Sequence, residues 1–340
     1  MRAVDARRSW AWSPRAKPLL RSVLIAAGLI LGVDQCADAA APLELETKIP
    51  LGEVAGRIDH LAIDAAQRRL FVAELGNNSI DIVDLNTLER VKRLTGLKHP
   101  QGLGYVTSTR TLFVSSAVDG TLQALGEHGA LPAKVHLGDD ADNIRVVGDR
   151  IYVGYGAGAI ASINAVSLTR STDVELPAHP EGFEVAAASE RLFVNLPEAH
   201  SVAIVDLATG KVIKQISTRG RGANFPLATA TKNILVAFRN PPLLVAYAMS
   251  EGVEQAAASV CNDADDIFVD AKRDRAYVSC GEGYLDVFAI YATKLDRVAH
   301  LRTAIGARTS LFAPELDRLF VATPAAAGQS AAVWVYKPAD

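Results

Sequence analysis

Cysteine is scarce in this 340-residue chain: there are three, and only two lie beyond the first 40 residues. No C-x-x-C-H run occurs, which excludes covalent c-type haem attachment. No G-x-S-x-G occurs either, so the strained nucleophile elbow of a serine hydrolase is absent. There is no H-E-x-x-H, the compact helical signature of a zinc peptidase. Glycine-rich phosphate cradles are also missing. Gly154-Tyr155-Gly156-Ala157-Gly158 follows one strand pattern and leads into another, so it reads as a tight turn. Beyond residue 33 no uninterrupted apolar run approaches the roughly 20 residues needed to span a bilayer. Basic charge is in slight deficit, with 35 Lys and Arg against 38 Asp and Glu and a net charge of −3. Nothing resembles the basic stripe of a nucleic-acid binder, so no nucleic-acid partner is expected.

What is present at the start reads as a targeting segment. Arg2, Arg7, Arg8, Arg15, Lys17 and Arg21 precede an apolar run of 11 residues, Val23–Val33. Small residues follow in Cys36-Ala37-Asp38-Ala39-Ala40-Ala41. A basic region, a short apolar stretch and an Ala-x-Ala site make residues 1–40 a secretory signal segment, cut near Ala39 or Ala41. Eleven apolar residues are too few for a membrane anchor, and polar Asp34-Gln35 argue against lipid attachment at Cys36. Residues 1–40 carry six basic and three acidic side chains, so the remainder has a net charge of −6. That mild acidity suits an exported soluble protein, periplasmic or secreted.

The strongest signal is a repeat. RRLFVA at Arg68–Ala73 returns as RTLFVS, DRIYVG, ERLFVN, KNILVA, DRAYVS and DRLFVA, the last at Asp317–Ala322. The markers Phe71, Phe113, Tyr152, Phe193, Leu235, Tyr277 and Phe320 are separated by 42, 39, 41, 42, 42 and 43 residues. A period in the low forties, built of short strands and turns, predicts an all-β, seven-bladed β-propeller of four-stranded antiparallel blades across residues 41–340.

The first blade shows the pattern. Asp59–Ile63 is an innermost strand and Arg69–Ala73 the second. Gly76-Asn77-Asn78 supplies residues that tolerate positive φ, Ser79–Asp84 alternates as a third strand, and Glu89–Leu94 is a charged outer strand. The fifth repeat departs from it, with Arg239-Asn240-Pro241-Pro242 in place of the Gly/Asn turn. The last repeat lacks an outer strand, while Leu43–Ile49 alternates and has no blade of its own. This segment is expected to pair with Val333–Tyr336 and close the ring, since an open sheet edge is a liability. Cys261 lies just before one inner strand and Cys280 ends the strand that pairs with it. Their ends share an edge, so a Cys261–Cys280 disulfide is expected in an oxidising compartment.

The strings D-x-x-x-x-R-L-F/Y-V-A and I-x-I-V-D-L-x-T, as in Asp317–Ala322 and Ile80–Thr87, resemble the YVTN-type, YncE-like family of exported bacterial seven-bladed propellers. The resemblance covers about residues 43–337 and implies fold and export. It implies no chemistry, because that family carries many roles.

Any site should lie where the inner strands begin, around one mouth of the central channel. Arg57, Asp59 and His60 occupy that place in the first blade, and His99 and Gln101 in the second. The third gives Asp139, Asp140, Asp142 and Asn143; the fourth His179 and Glu181; the fifth Arg221 and Asn224. The sixth gives Asp263, Asp265 and Asp266, and the seventh Arg308, Thr309 and Ser310. From these, His60, Asp142, Asn143, His179, Glu181, Asn224, Asp265, Asp266 and Arg308 are expected to form one polar, concave binding face. Tyr155, Asn195, Arg239, Glu282 and Thr323, after the second strands, would extend its rim. Two functions fit. One is a monomeric binding module for a small polar ligand or a periplasmic protein partner. The alternative is a lactonase-like metal-dependent hydrolase or lyase. Its candidate cofactor is a divalent cation held by His60, His179, Glu181, Asn224 and Asp265, a mixed nitrogen and oxygen set.

Overall fold

A computed structural model describes residues 41–126, 129–326 and 328–340; the expected signal segment, residues 1–40, lies outside them. Seven four-stranded sheets follow in chain order, each antiparallel and each built from consecutive strands except the last. The first blade runs Leu61–Asp64, Arg69–Glu74, Ser79–Asp84 and Glu89–Thr95. The third has an outer strand of only two residues, Val174–Glu175.

Local chemistry sets the turns. In every blade the link from the inner to the second strand ends on a left-handed residue, at or one position removed from the strand's doorstep. These are Arg68, Arg110, Gly148, Glu190, Thr231, Asp274 and Asp317, with φ between 49° and 57°. The turn from second to third strand in the first blade closes on Asn78, also left-handed, as its short polar side chain permits.

Packing explains why the second strands read as unbroken apolar runs. Each blade is covered on both faces, so alternation gives way to continuous burial. The core is divided into seven clusters, each between two successive blades. One sets Ala62, Phe71 and Ala73 of the first blade against Leu103, Leu112 and Val114 of the second. Another sets Leu70 and Val72 of the first blade against Phe320, Ala322 and Val333 of the last. The channel axis is left to the polar starts of the inner strands.

Closure follows the expected pairing and extends it. The strand Leu43–Gly52 becomes the outer strand of the last blade, with Leu45 opposite Tyr336, Thr47 opposite Val335 and Ile49 opposite Val333. Glu46 takes both ends of the Arg318 guanidinium at 2.5 and 2.8 Å, and Lys48 sits 3.5 Å from the centre of the Trp334 ring.

Cys261 and Cys280 are bonded, with Cα atoms 5.9 Å apart and a sequence separation of 19. The bridge ties the approach to the sixth inner strand (Ala264–Asp270) onto the end of its neighbour (Arg275–Cys280). Closing a loop of this size restricts the unfolded chain by on the order of 3 kcal/mol. The double variant Cys261→Ala/Cys280→Ala should therefore melt several degrees lower than the parent under non-reducing conditions. Equal melting temperatures, or two free thiols in the mass spectrum of unreduced protein, would count against the bridge.

Candidate functional site

Five blades send inner-strand residues into one cavity at an end of the channel. Arg57, Asp59 and His60 come from the first blade, Asp142, Asn143 and Arg145 from the third, and Glu181 from the fourth. Phe225 and Pro226 of the fifth and Asp265 and Asp266 of the sixth complete the wall. Water centres have about 40 Å³ to occupy within it. That is room for a few waters or one small chemical group, and too little for a drug-sized molecule.

Backbone pairing fixes these side chains in place. The Asp142 and Asn143 backbones clasp the end of the neighbouring strand, Asp142 N donating to Gly154 O and Asn143 O accepting from Gly154 N. Glu181 is held likewise through Asn195 O. Two glycines let neighbouring blades approach this closely. A Cβ on Gly102 would stand 2.2 Å from Asp142 O, and one on Gly182 would stand 2.4 Å from Phe225 O. The space at Gly102 is used by Ser115 Oγ, which donates to Asp142 O at 2.5 Å.

The charges fall into two groups. Asp59, 1% exposed, pairs with Arg57 at 3.0 Å. Asp265 is bridged by Arg239 and lies 3.9 Å from Arg308, and both arginines also hold Asp263. Among the described residues the other carboxylates form no ion pair with an arginine or lysine. Asp266 Oδ2 accepts from Ser310 N at 2.8 Å. Asp142 Oδ1 is buried without a hydrogen-bond partner. Glu181 makes no side-chain hydrogen bond or ion pair among the described residues.

Burial therefore dominates the acid strength of this second group. It holds the Asp142 and Asp266 carboxyls well above the usual range, and the neighbouring charges of Asp59 and Glu181 (on Asp142) and Asp265 (on Asp266) push the same way. Glu181 is pushed up to about 7, first by burial and then by Asp265 and Asp140 against the pull of His179 and Arg239. His60 moves the other way, down to about 4, because its ring is buried and Arg145 lies near. Its Nε2 stands 3.8 Å from Asp59 Oδ1 and 4.0 Å from Asp142 Oδ1. At neutral pH the mouth thus holds a neutral imidazole among carboxyls that resist ionisation.

Of the nine residues expected at the site, His60, Asp142, Asn143, Glu181, Asp265 and Asp266 line the cavity. Arg308 stands on its rim, bound to Asp263. His179 does not line it. Its Nδ1 lies 2.6 Å from Gly156 O, and its Nε2 faces Asp140 at 3.8 Å. Asn224 does not line it either. Fully buried, it donates to Asn195 Oδ1 and Ser201 O, while Asn195 donates to the Phe225 and Pro226 carbonyls. This asparagine pair supports the bulge that turns Phe225 and Pro226 into the cavity, a positioning role. Arg239 is the one residue of the expected rim set that reaches the mouth charges, lying 4.1 Å over the Phe225 ring. Tyr155 is taken up by Asp173 and Arg170, and Glu282 by Asn262. Arg145 was hidden inside an apolar run; its lone charge amid Ile144, Val146 and Val147 was the available signal.

The proposed metal donors are scattered by the same geometry. Among the described residues no group of three or more His, Cys, Asp or Glu side chains is placed to hold a metal ion. His179 and Asn224 do not line the cavity that holds His60, Glu181 and Asp265, so the five candidate donors do not meet there in the single sphere a divalent centre needs.

No protein-family model matches the chain, and neither does any curated protein sequence. Solved structures do. A Kuenenia stuttgartiensis hydrazine synthase chain is 15% identical with a TM-score of 0.66, covering 80% of this chain and 94% of that one. A chain of a mitotic checkpoint complex is 10% identical with a TM-score of 0.74, covering 96% of this chain and 98% of that one. At these identities the likeness is one of fold, a seven-bladed propeller.

Proposed function

We propose that this chain is an exported, periplasmic binding protein that takes a small polar ligand at the channel mouth. The observation that carries this reading is the cavity itself: five blades direct polar side chains into one small void, and part of that polarity is left without internal partners. A folded protein bears such unpaired groups at a cost, and they recur where a ligand completes them. The seven strand repeats and their resemblance to the YVTN-type exported propellers support the same reading. So do the disulfide and the basic, apolar, alanine-ended start of the sequence. A rigid ring with inter-blade cores also suits binding, because its mouth is preorganised.

A thermal-shift panel of amino acids, amines, polyols, sugars and organic acids tests this, run on the parent and on Asp142→Asn and Glu181→Gln. The expected result is a stabilising compound whose shift is lost in both variants. A panel without hits, or hits whose shifts survive both changes, would sink the mouth as the binding site.

A further inference from the structure

The mouth offers donors and acceptors together. Arg57 meets Asp59 through one Nη atom at 3.0 Å. Arg145 gives one Nη to its neighbour's carbonyl, Ile144 O, at 2.9 Å and stands 3.7 Å from Glu184. Among the described residues most N–H groups of both guanidinium ions are therefore unpaired, and both residues line the cavity. Asp142 lines it too and forms no ion pair with an arginine or lysine there. A further observation is independent of these charges. Asn143 is 5% exposed and lines the cavity, yet its carboxamide has no hydrogen-bond partner among the described residues. A buried amide is rarely left so, and this one brings two donors and an acceptor to the same small space. Printed along one wall, the contacts run from cation to carboxyl. Asp59 Oδ2 takes Arg57 at 3.0 Å, His60 Nε2 lies 3.8 Å from Asp59 Oδ1, and the same Nε2 lies 4.0 Å from Asp142 Oδ1.

We infer that the ligand is a small α-amino acid bound as its zwitterion, its carboxylate taken by Arg57 and its ammonium by Asp142. This rests on the channel mouth being the binding site. A zwitterion brings acceptors to the guanidinium and donors to the carboxyl without changing the net charge of the mouth. A simple carboxylate would leave Asp142 unmet, and a simple amine would leave the Arg57 N–H groups unmet. A polyol carries no charge to either end. Exposure sets the direction: the Arg57 side chain is 47% exposed and that of Asp142 13%, so the carboxylate lies outward and the ammonium inward. Asn143, next to Asp142 in the chain, adds its carboxamide at the inner end. Size agrees. About 40 Å³ for water centres, at roughly 10–15 Å³ each, is about three positions, and glycine has one nitrogen and two oxygens to place.

The probe is glycine, titrated into the full protein and followed through the Asn143 side-chain amide resonance in ¹H–¹⁵N spectra. Methylammonium, acetate and acetamide carry its parts singly. Glycine should move that resonance and saturate, with each of the three at least about tenfold weaker, since each forfeits a charge-assisted hydrogen bond. Asp142→Asn should weaken glycine by about tenfold or more, leave acetate unchanged and keep the melting transition. Methylammonium, acetate or acetamide binding as tightly as glycine would overturn the zwitterion and leave the mouth as a binding site. Asp142→Asn leaving glycine unchanged, or weakening acetate equally, would overturn the assignment of the two ends. The ranking of probes is read on the parent, so it decides the ligand class even if the variant fails to fold. No response of Asn143 to any probe would overturn both the class and the mouth reading.

Discussion

Deleting Leu43–Ile49 should lower the melting temperature by far more than any point change in this chain. That segment is the outer strand of the last blade, although it precedes the first blade in sequence. Its loss removes Leu43 and Ile49, both essentially buried, and uncovers Val333, Trp334 and Tyr336. Two large apolar side chains alone contribute about 3–6 kcal/mol. The ladder to Val333–Pro338 and the Glu46–Arg318 pair go with them. The cluster joining the last blade to the first also opens, because Ile49 lies in it beside Leu70 and Val72, and its near neighbour Leu51 loses the strand that holds it there. The exposed strand becomes a free edge, so aggregation on heating is expected as well. Thermal unfolding by circular dichroism reads the effect, and Ile49→Ala should show a smaller loss of about 2–5 kcal/mol. An unchanged transition after the deletion would show that the ring does not depend on this strand.

The ring was legible because its signal is repeated burial. The markers Phe71, Phe113, Phe193, Leu235, Tyr277 and Phe320 are all buried in second strands, where inter-blade packing demands an apolar residue each time. The site was legible only as far as strand starts point inward in register. His60, Asp142, Asn143 and Glu181 sit directly before regular inner strands and reach the cavity together. In the fifth blade a shift of register between Asn224 and Leu227 breaks the two-residue period. The expected Asn224 turns into the protein, and Phe225 and Pro226 take its place at the mouth. A similar shift between Pro100 and Leu103 accompanies the absence of His99 from the cavity wall, where His99 is exposed. Bulges of this kind depend on contacts with neighbouring blades, such as the asparagine pair beneath Phe225, and one strand's sequence does not carry them.

Glu181→Gln should stabilise the ligand-free protein at pH 8 and leave it nearly unchanged at pH 5. The Glu181 carboxyl titrates near 4.5 when unfolded and is pushed up to about 7 in the folded chain, chiefly by burial. The folded state therefore binds this proton more tightly than the unfolded state does. Stability tied to it is fully present below about pH 4.5 and is lost as pH rises through about 7. Glutamine needs no proton, so its advantage grows across that window, to about 2 kcal/mol or several degrees in Tm. His60 works in the opposite sense. Its ring, brought down to about 4, contributes stability above about 6.5 that fades as pH falls. The parent's own pH curve mixes the two, and the difference between parent and variant isolates Glu181. Urea melts of both proteins between pH 5 and 8 measure it. A constant difference, or a variant less stable than the parent at pH 8, would mean that Glu181 is paired after all.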